Sequence, residues 1–269
     1  MFLSPRHILY IAIPIVVTAL LFLIFRKSST KTKRVVVFAL TVINVLQHLL
    51  KAYIYPQYAG ESFGARSTVY NMCAFLILAS PIIFLIGSEL WQNFIFYIGS
   101  IAGLFSILST YWLTISTQEQ IRFVICHGLL FVSSFLPWLF GIYKVNYRKC
   151  WRLPFVFFMA LGTLIVNDTI LYALGMVDNS RNLYDVLSSS NPCWVMHPPS
   201  EYPIVEKLVA PFTPSVFLSS RGGVDTPILW YAFPLYILIT SVGFILGAIL
   251  DRKRFCSDIK ALRERKYQP

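Results

Sequence analysis

The sequence predicts an all-α, polytopic transmembrane helical bundle of about seven spans, N-terminus outside and C-terminus cytoplasmic. Three observations lead there. First, 57% of the 269 residues are hydrophobic and only 13% are charged, about half the charged share of an ordinary soluble domain, which is roughly 25%. Second, seven windows are apolar over the roughly 20 residues needed to cross the hydrocarbon core. Third, the basic residues gather in alternate connections, the pattern that sets orientation in a membrane. The 22 Phe and 15 Tyr suit lipid-facing and interfacial positions.

The windows run Ile8–Phe25, Val35–Tyr53, Val69–Gly87, Trp91–Ile115, Ile121–Ile142, Leu153–Met176 and Ile228–Leu250. Arg26, Lys27, Lys31, Lys33 and Arg34 follow the first window with no small-residue cleavage site. It therefore reads as a retained helix rather than a signal peptide. A 51-residue polar stretch, 177–227, separates the last two windows. Its Ser, Pro, Asn and Asp content predicts a loop. Pro211 and Pro214 argue against a full span over Val205–Leu218. The connection after the first window, the segment Lys144–Arg152 and the tail after Leu250 hold 16 of the 23 Lys and Arg. These segments fall on one side, read as cytoplasmic. The expected organisation is a seven-helix domain over 1–250, with 177–227 as its outer loop, and a basic cytoplasmic tail over 251–269. The expected location is the cell membrane.

Polar groups inside a span are costly and mark sites or helix contacts. The second window carries Asn44, Gln47, His48 and Lys51 on one helical face. The third opens with Asn71 and Cys73, the fifth carries His127, and the sixth carries Asn167 and Asp168. At about 1.5 Å of rise per residue, His48, Cys73, His127 and Asn167 fall roughly 6–13 Å from the outer ends of four separate windows. A shared depth on four helices is the strongest functional signal that spacing provides. The chemistry such a group supports is nucleophilic. A thiolate attacks carbonyls, an imidazole takes its proton, and Asp168 or Asn167 orients the imidazole as the third member of a triad. Nearby amides stabilise an oxyanion. The blander readings stand beside this one. A buried cysteine such as Cys73 is most often a small hydrophobe, His127 also reads as a helix-to-helix hydrogen bond, and Lys51 as a snorkelling side chain. Asp168 calls for a partner, with Lys51 or His48 as the candidates. Cys126 adjoins His127 but points about 100° away on a helix.

Other features carry less. Gly99 and Gly103 form a Gly-x-x-x-Gly spacing that permits close helix packing. Pro81 and Pro137 predict kinks. The tail reads as a basic helix lying against anionic lipid. The net charge of +11 is distributed as topology signals, so nucleic acid is not an expected partner. The five cysteines show neither a CxxC pair nor Cys/His metal spacing. Cys193 and His197 alone make a poor metal site, and no metal or cofactor is expected.

Five segments, in order along the chain, resemble one family. They are FLSPRHI at the start, YNMC at Tyr70–Cys73, YIGSIAGLFSILSTY in the fourth window, RFVICHGLL around His127, and TPILWYAFPLYI before the last helix. They resemble the YwaF-like integral membrane proteins of bacteria. These are related to the transmembrane protein 164 family, acyltransferases for ether phospholipids that use a Cys and a His within the membrane. More distantly the chain is similar to androgen-induced membrane hydrolases, which cleave fatty esters with a Thr and a His. The resemblance implies Cys73 as nucleophile and His127 as base. It departs from the family's pattern at Asn71 and Met72, where a more apolar approach with Pro or His is expected, and Asn71 is then a candidate oxyanion donor. The sixth window and the outer loop match poorly.

The functional expectation is a membrane-embedded lipid acyltransferase or acyl-ester hydrolase. Its catalytic set is Cys73, His127, Asp168 and Asn167. Asn44, Gln47, His48, Lys51 and Asn71 bind the phospholipid or fatty-ester substrate, with His48 and Lys51 at its headgroup. One rival is a small-solute transporter or receptor built on the same pocket. The other is a non-catalytic scaffold acting through the tail.

Overall fold

The computed structural model describes residues 4–54, 67–108, 116–177, 180, 183, 207, 211, 213–221, 224–227 and 234–266. The described chain is helical apart from one short hairpin. Helix α1 spans Pro5–Phe25, α2 Thr30–Leu49, and α3 is the single turn Lys51–Ile54. Helix α4 spans Met72–Ile86, α5 Glu89–Leu108 with a π-helical turn at Ile95–Gly99, and α6 Thr117–Leu139. A 3₁₀ turn, Tyr147–Arg152, leads into α7, Leu153–Ala173. Strands β1 (Leu218–Arg221) and β2 (Val224–Pro227) pair antiparallel, with Leu218 opposite Pro227 and Arg221 opposite Val224. Helix α8 spans Pro234–Leu250 and α9 Arg252–Lys266.

Local chemistry sets several of these boundaries. Ser4 caps α1 by accepting from His7 N at 3.2 Å, with Pro5 at the first helical position. Asn71 caps α4 by accepting from Ala74 N at 2.8 Å, and Gly87 ends that helix in the left-handed region, at φ 73°. Ser116 caps α6 by accepting from Glu119 N at 3.3 Å, a Ser-x-x-Glu start.

Each of the seven windows contains a helix, but among the described residues four helices are long and apolar enough to cross a membrane. These are Pro5–Phe25, Glu89–Leu108, Thr117–Leu139 and Tyr147–Ala173. Helix α2 opens with Lys31, Lys33 and Arg34. Helix α4 has 15 residues and α8 has 17, lengths of roughly 22–26 Å at the α-helical rise, short of a hydrocarbon core of about 30 Å.

The chain divides into two compact units, 1–143 with 159–193, and 144–158 with 194–269. In the first, α5 and α6 meet through Gly99 and Gly103. A Cβ at Gly103 would lie 2.8 Å from both His127 O and Phe131 N, and one at Gly99 would collide with Ser134 Oγ. The Gly-x-x-x-Gly spacing thus seats α5 directly on the turn of α6 that carries His127. Helix α1 joins them where His7 Nε2 donates to Ile107 O at 3.0 Å, beside a core of Tyr10, Ile107, Phe123 and Val124. In the second unit, α8 packs on the 3₁₀ turn. Cys150 Sγ donates to Gly243 O at 3.0 Å, and a Cβ at Gly243 would lie 3.0 Å from Leu153 Cδ1. The tail helix α9 belongs to this second unit. Cys193 and His197 lie outside the described residues, as does most of 177–227.

Candidate functional site

The site is built on the polar face of α2, the segment 67–71, the first turn of α4, the middle of α6 and the later part of α7, all in the first unit. Asn44, Gln47, His48 and Lys51 recur at spacings of three and four, and all four are buried. Asn44 Nδ2 donates to Cys126 O at 3.3 Å, which ties α2 to α6 beside His127. The other end of that amide, Asn44 Oδ1, accepts no hydrogen bond, although the residue is 2% exposed. Gln47 is 8% exposed, and neither end of its amide is hydrogen-bonded. Ser67 Oγ is likewise buried without a partner. Buried polar groups are normally satisfied. Three orphaned side chains, two on one helical face and one in the 67–71 segment, suit a polar ligand.

Thr68 is the junction of the cluster. Its carbonyl accepts from His48 Nε2 at 3.4 Å, and its hydroxyl accepts from Asn167 Nδ2 at 3.1 Å. Two residues on, the Tyr70 ring lies parallel to His48 with centroids 6.3 Å apart, and Lys51 Nζ sits 4.7 Å from the Tyr70 centroid. Lys51 is only 3% exposed, so the snorkelling reading is corrected. Its ammonium faces an aromatic ring inside the protein, a cation–π arrangement. Asn71 closes the segment as the α4 cap. That places Cys73 second in α4, half-buried, in a first turn whose dipole favours negative charge. Tyr70 lies within electrostatic reach of Cys73, Cys126 and Arg122.

His127 sits deep in α6, 8% exposed, with the Phe123 ring 4.0 Å away, centroid to centroid. Its Nδ1 lies 2.9 Å from Phe123 O. A carbonyl only accepts, so Nδ1 carries the proton and a neutral ring keeps its lone pair on Nε2. The backbone of the preceding turn therefore does the orienting expected of Asp168 or Asn167. Asn167 instead reaches Thr68, and Asp168 accepts from Asn167 Nδ2 at 3.5 Å. The expected partnership of Asp168 with Lys51 or His48 is also corrected. Asp168 keeps partial exposure, so its carboxylate does not require a buried counter-ion. Among the described residues no hydrogen bond joins Cys73 to His127.

Sequence reasoning missed Arg122, whose guanidinium Nε donates to Glu119 Oε1 at 2.8 Å and whose charge reaches His48, Cys126 and His127. Its position five residues before His127, rather over one turn of helix, was the available signal. Thr68 and Tyr70 gave no such signal, because their roles depend on which helices meet there.

The first unit offers a helix-head thiol, an imidazole with a fixed tautomer, two cations and unpaired amide groups. Searches among curated proteins and among solved structures return no match to this chain. A family model does match, across residues 2–249, nearly the whole length and all of the site, and on that match the chain belongs to the TMEM164 family.

Proposed function

We propose that this membrane protein transfers or hydrolyses the acyl group of a lipid ester, with Cys73 as nucleophile and His127 as base. The observation that carries the reading is the fixed tautomer of His127. Its Nδ1–H is committed to Phe123 O, which leaves Nε2 as the proton acceptor, and the same unit holds a thiol at the head of α4. The Cys73 sulfur attacks the ester carbonyl carbon, and its proton passes to His127 Nε2. The ester C–O bond breaks, the leaving alcohol takes that proton back, and the acyl group stays on sulfur as a thioester. An acceptor hydroxyl or water, deprotonated by the same Nε2, then releases it. The pair must close on bound substrate, as catalytic hydrogen bonds commonly do.

Asn44 and Gln47 contribute the unpaired amide groups that hold the ester or glycerol oxygens. Lys51 and His48 face the headgroup phosphate. Asn71 positions Cys73 by capping α4, and any oxyanion contact falls to the part of its amide not used in the cap. Asn167, with Asp168 beside it, acts through Thr68 on the head of α4. Seven crossings, an outward-facing pocket, a cytoplasmic C-terminus and a cell-membrane location complete the reading.

The test is acyl exchange between phospholipids in proteoliposomes, followed by lipid mass spectrometry, with peptide mapping for a thioester on Cys73. Cys73→Ser and His127→Ala are each expected to abolish exchange, and His127→Ala to remove the adduct. Full activity in either variant overturns the assignment. The unpaired Gln47 amide favours one second reading, a site that binds a polar solute without reacting. Solute binding would then survive Cys73→Ala and fail in Gln47→Leu.

A further inference from the structure

The second unit contains a pocket of about 500 Å³ lined by Tyr147, Arg148, Trp151, Thr240, Phe244 and Ile245, with Ser241 at its wall. Its two walls are the 3₁₀ turn and α8, held together by the Cys150–Gly243 hydrogen bond and the Leu153–Gly243 contact. Its chemistry is divided. Arg148 and the hydroxyls of Thr240 and Ser241 make one part polar, while Trp151, Phe244 and Ile245 make the rest apolar. All three apolar side chains are largely exposed. Thr240 Oγ1 is buried and has no hydrogen-bond partner, although a helical threonine usually satisfies itself on the carbonyl one turn back.

Arg148 already holds an anion. Its Nε donates to Asp258 Oδ2 at 2.7 Å, its Nη2 donates to Asp258 Oδ1, and the Tyr147 hydroxyl donates to the same carboxylate. A planar, two-point grip of this kind is the geometry with which arginine binds phosphate. The carboxylate comes from the tail helix α9, and Phe255 fixes that helix against Tyr147 and Phe244 at centroid distances of 5.3 and 6.1 Å. Arg152 adds a second guanidinium, 5.0 Å from the Trp151 ring centroid.

We propose that this pocket binds an anionic phospholipid, its phosphate on Arg148 and the Thr240 and Ser241 hydroxyls, its acyl chain along Trp151, Phe244 and Ile245, with Asp258 as the internal competitor for Arg148. The occupant follows from the two halves together. A soluble anion has no use for the apolar wall, and a zwitterionic lipid, whose headgroup cation already neutralises its phosphate, gains less from the guanidinium. The pocket also lies between the entry to an apolar membrane helix and another apolar helix, where lipid is the surrounding phase. Tail docking and lipid binding therefore oppose each other at one side chain. None of these residues belongs to the proposed acyl-transfer site, so the two readings stand or fall separately.

Native mass spectrometry of the full chain in detergent, loaded with phosphatidylglycerol, phosphatidylcholine or inorganic phosphate, tests this. Phosphatidylglycerol is expected to be retained over phosphatidylcholine. Arg148→Gln and Thr240→Val are each expected to remove that preference, the former by about tenfold or more, as for a lost charged hydrogen bond. Asp258→Asn, which releases Arg148, is expected to raise retention. Thr240→Val is nearly isosteric and removes an unpaired hydroxyl, so it tests the pocket without threatening the fold. Unchanged preference in both Arg148→Gln and Thr240→Val overturns the proposal. Loss of preference in Lys253→Gln/Lys260→Gln instead would mark diffuse attraction to the tail and also overturn it. Displacement of the lipid by inorganic phosphate alone would overturn the acyl-chain half.

Discussion

A buried amide without hydrogen bonds costs roughly 1–3 kcal/mol, and both ends of the Gln47 amide are in that condition. A residue that weakens the fold and stays polar is best explained by a ligand. Gln47→Leu keeps the volume and removes the unpaired groups. Thermal unfolding in detergent is expected to show equal or higher stability, by about 1 kcal/mol, while acyl exchange falls at least tenfold. Retained exchange would remove Gln47 from the site. Asn71 should behave in the opposite way. Its side chain satisfies Ala74 N at the head of α4, and loss of such a cap typically costs about 1 kcal/mol. Asn71→Ala is expected to lower stability by that amount, and Asn71→Ser to restore it. If Asn71 also contacts substrate, the serine variant will recover stability without recovering activity, and the two readouts together decide its role.

At the scale of helices, the α5–α6 contact makes a sharp comparison. Gly103→Ala would push a methyl group to 2.8 Å from two backbone atoms, including the carbonyl of His127 itself. Backbone yields less than a flexible side chain, so a loss of about 1–3 kcal/mol is expected. Gly162→Ala in α7 meets nothing within 4 Å and is expected to be neutral or to gain roughly 0.5–1 kcal/mol from the better helix former. Equal effects from the two would contradict close α5–α6 packing at His127. That packing was legible beforehand in the Gly-x-x-x-Gly spacing, as was the polar face of α2, because both depend only on periodicity along one helix. The partners of Asp168 and Lys51 were not legible. Spacing fixes which face of a helix is polar, but not which neighbour that face meets or how far the neighbour has rotated. Asp168 settled on the adjacent Asn167, and Lys51 on Tyr70. The tail helix gives a pH dependence at the same scale. The Arg148 hydrogen bond, then that from Tyr147, holds the Asp258 carboxyl down at about 2 from its ordinary 3.8. A depressed carboxylate stabilises the docked state above its free value, and that contribution is lost as pH falls through about 2. Anisotropy of a dye on Cys256 is expected to stay constant from neutral pH to about 4 and to fall below it, whereas Asp258→Asn should give the low value throughout.

Across the whole molecule, charge and apolar length make separate statements about the membrane. Apolar length supports four crossings on the described helices, while the basic connections argue for a fixed orientation with both the 26–34 segment and the tail on one side. The two disagree where helices are short or open with charge, as α2 and α4 do. Those two helices carry most of the proposed site. Under the proposed function a polar headgroup must approach the half-buried Cys73 thiol, and helices with polar faces are the elements able to line such a route, since a fully apolar span cannot stabilise the headgroup. Orientation then decides which leaflet supplies the substrate. Cys256 reports on it because it is exposed on the tail helix, while Cys126 and Cys150 are buried. In a Cys73→Ala/Cys193→Ala background, a membrane-impermeant thiol reagent is expected to label Cys256 in inside-out vesicles and not in intact cells. Labelling in intact cells would place the tail outside and overturn its cytoplasmic reading. The basic segments would then be following something other than the positive-inside rule, with anionic lipid at the Arg148 pocket the first alternative to examine.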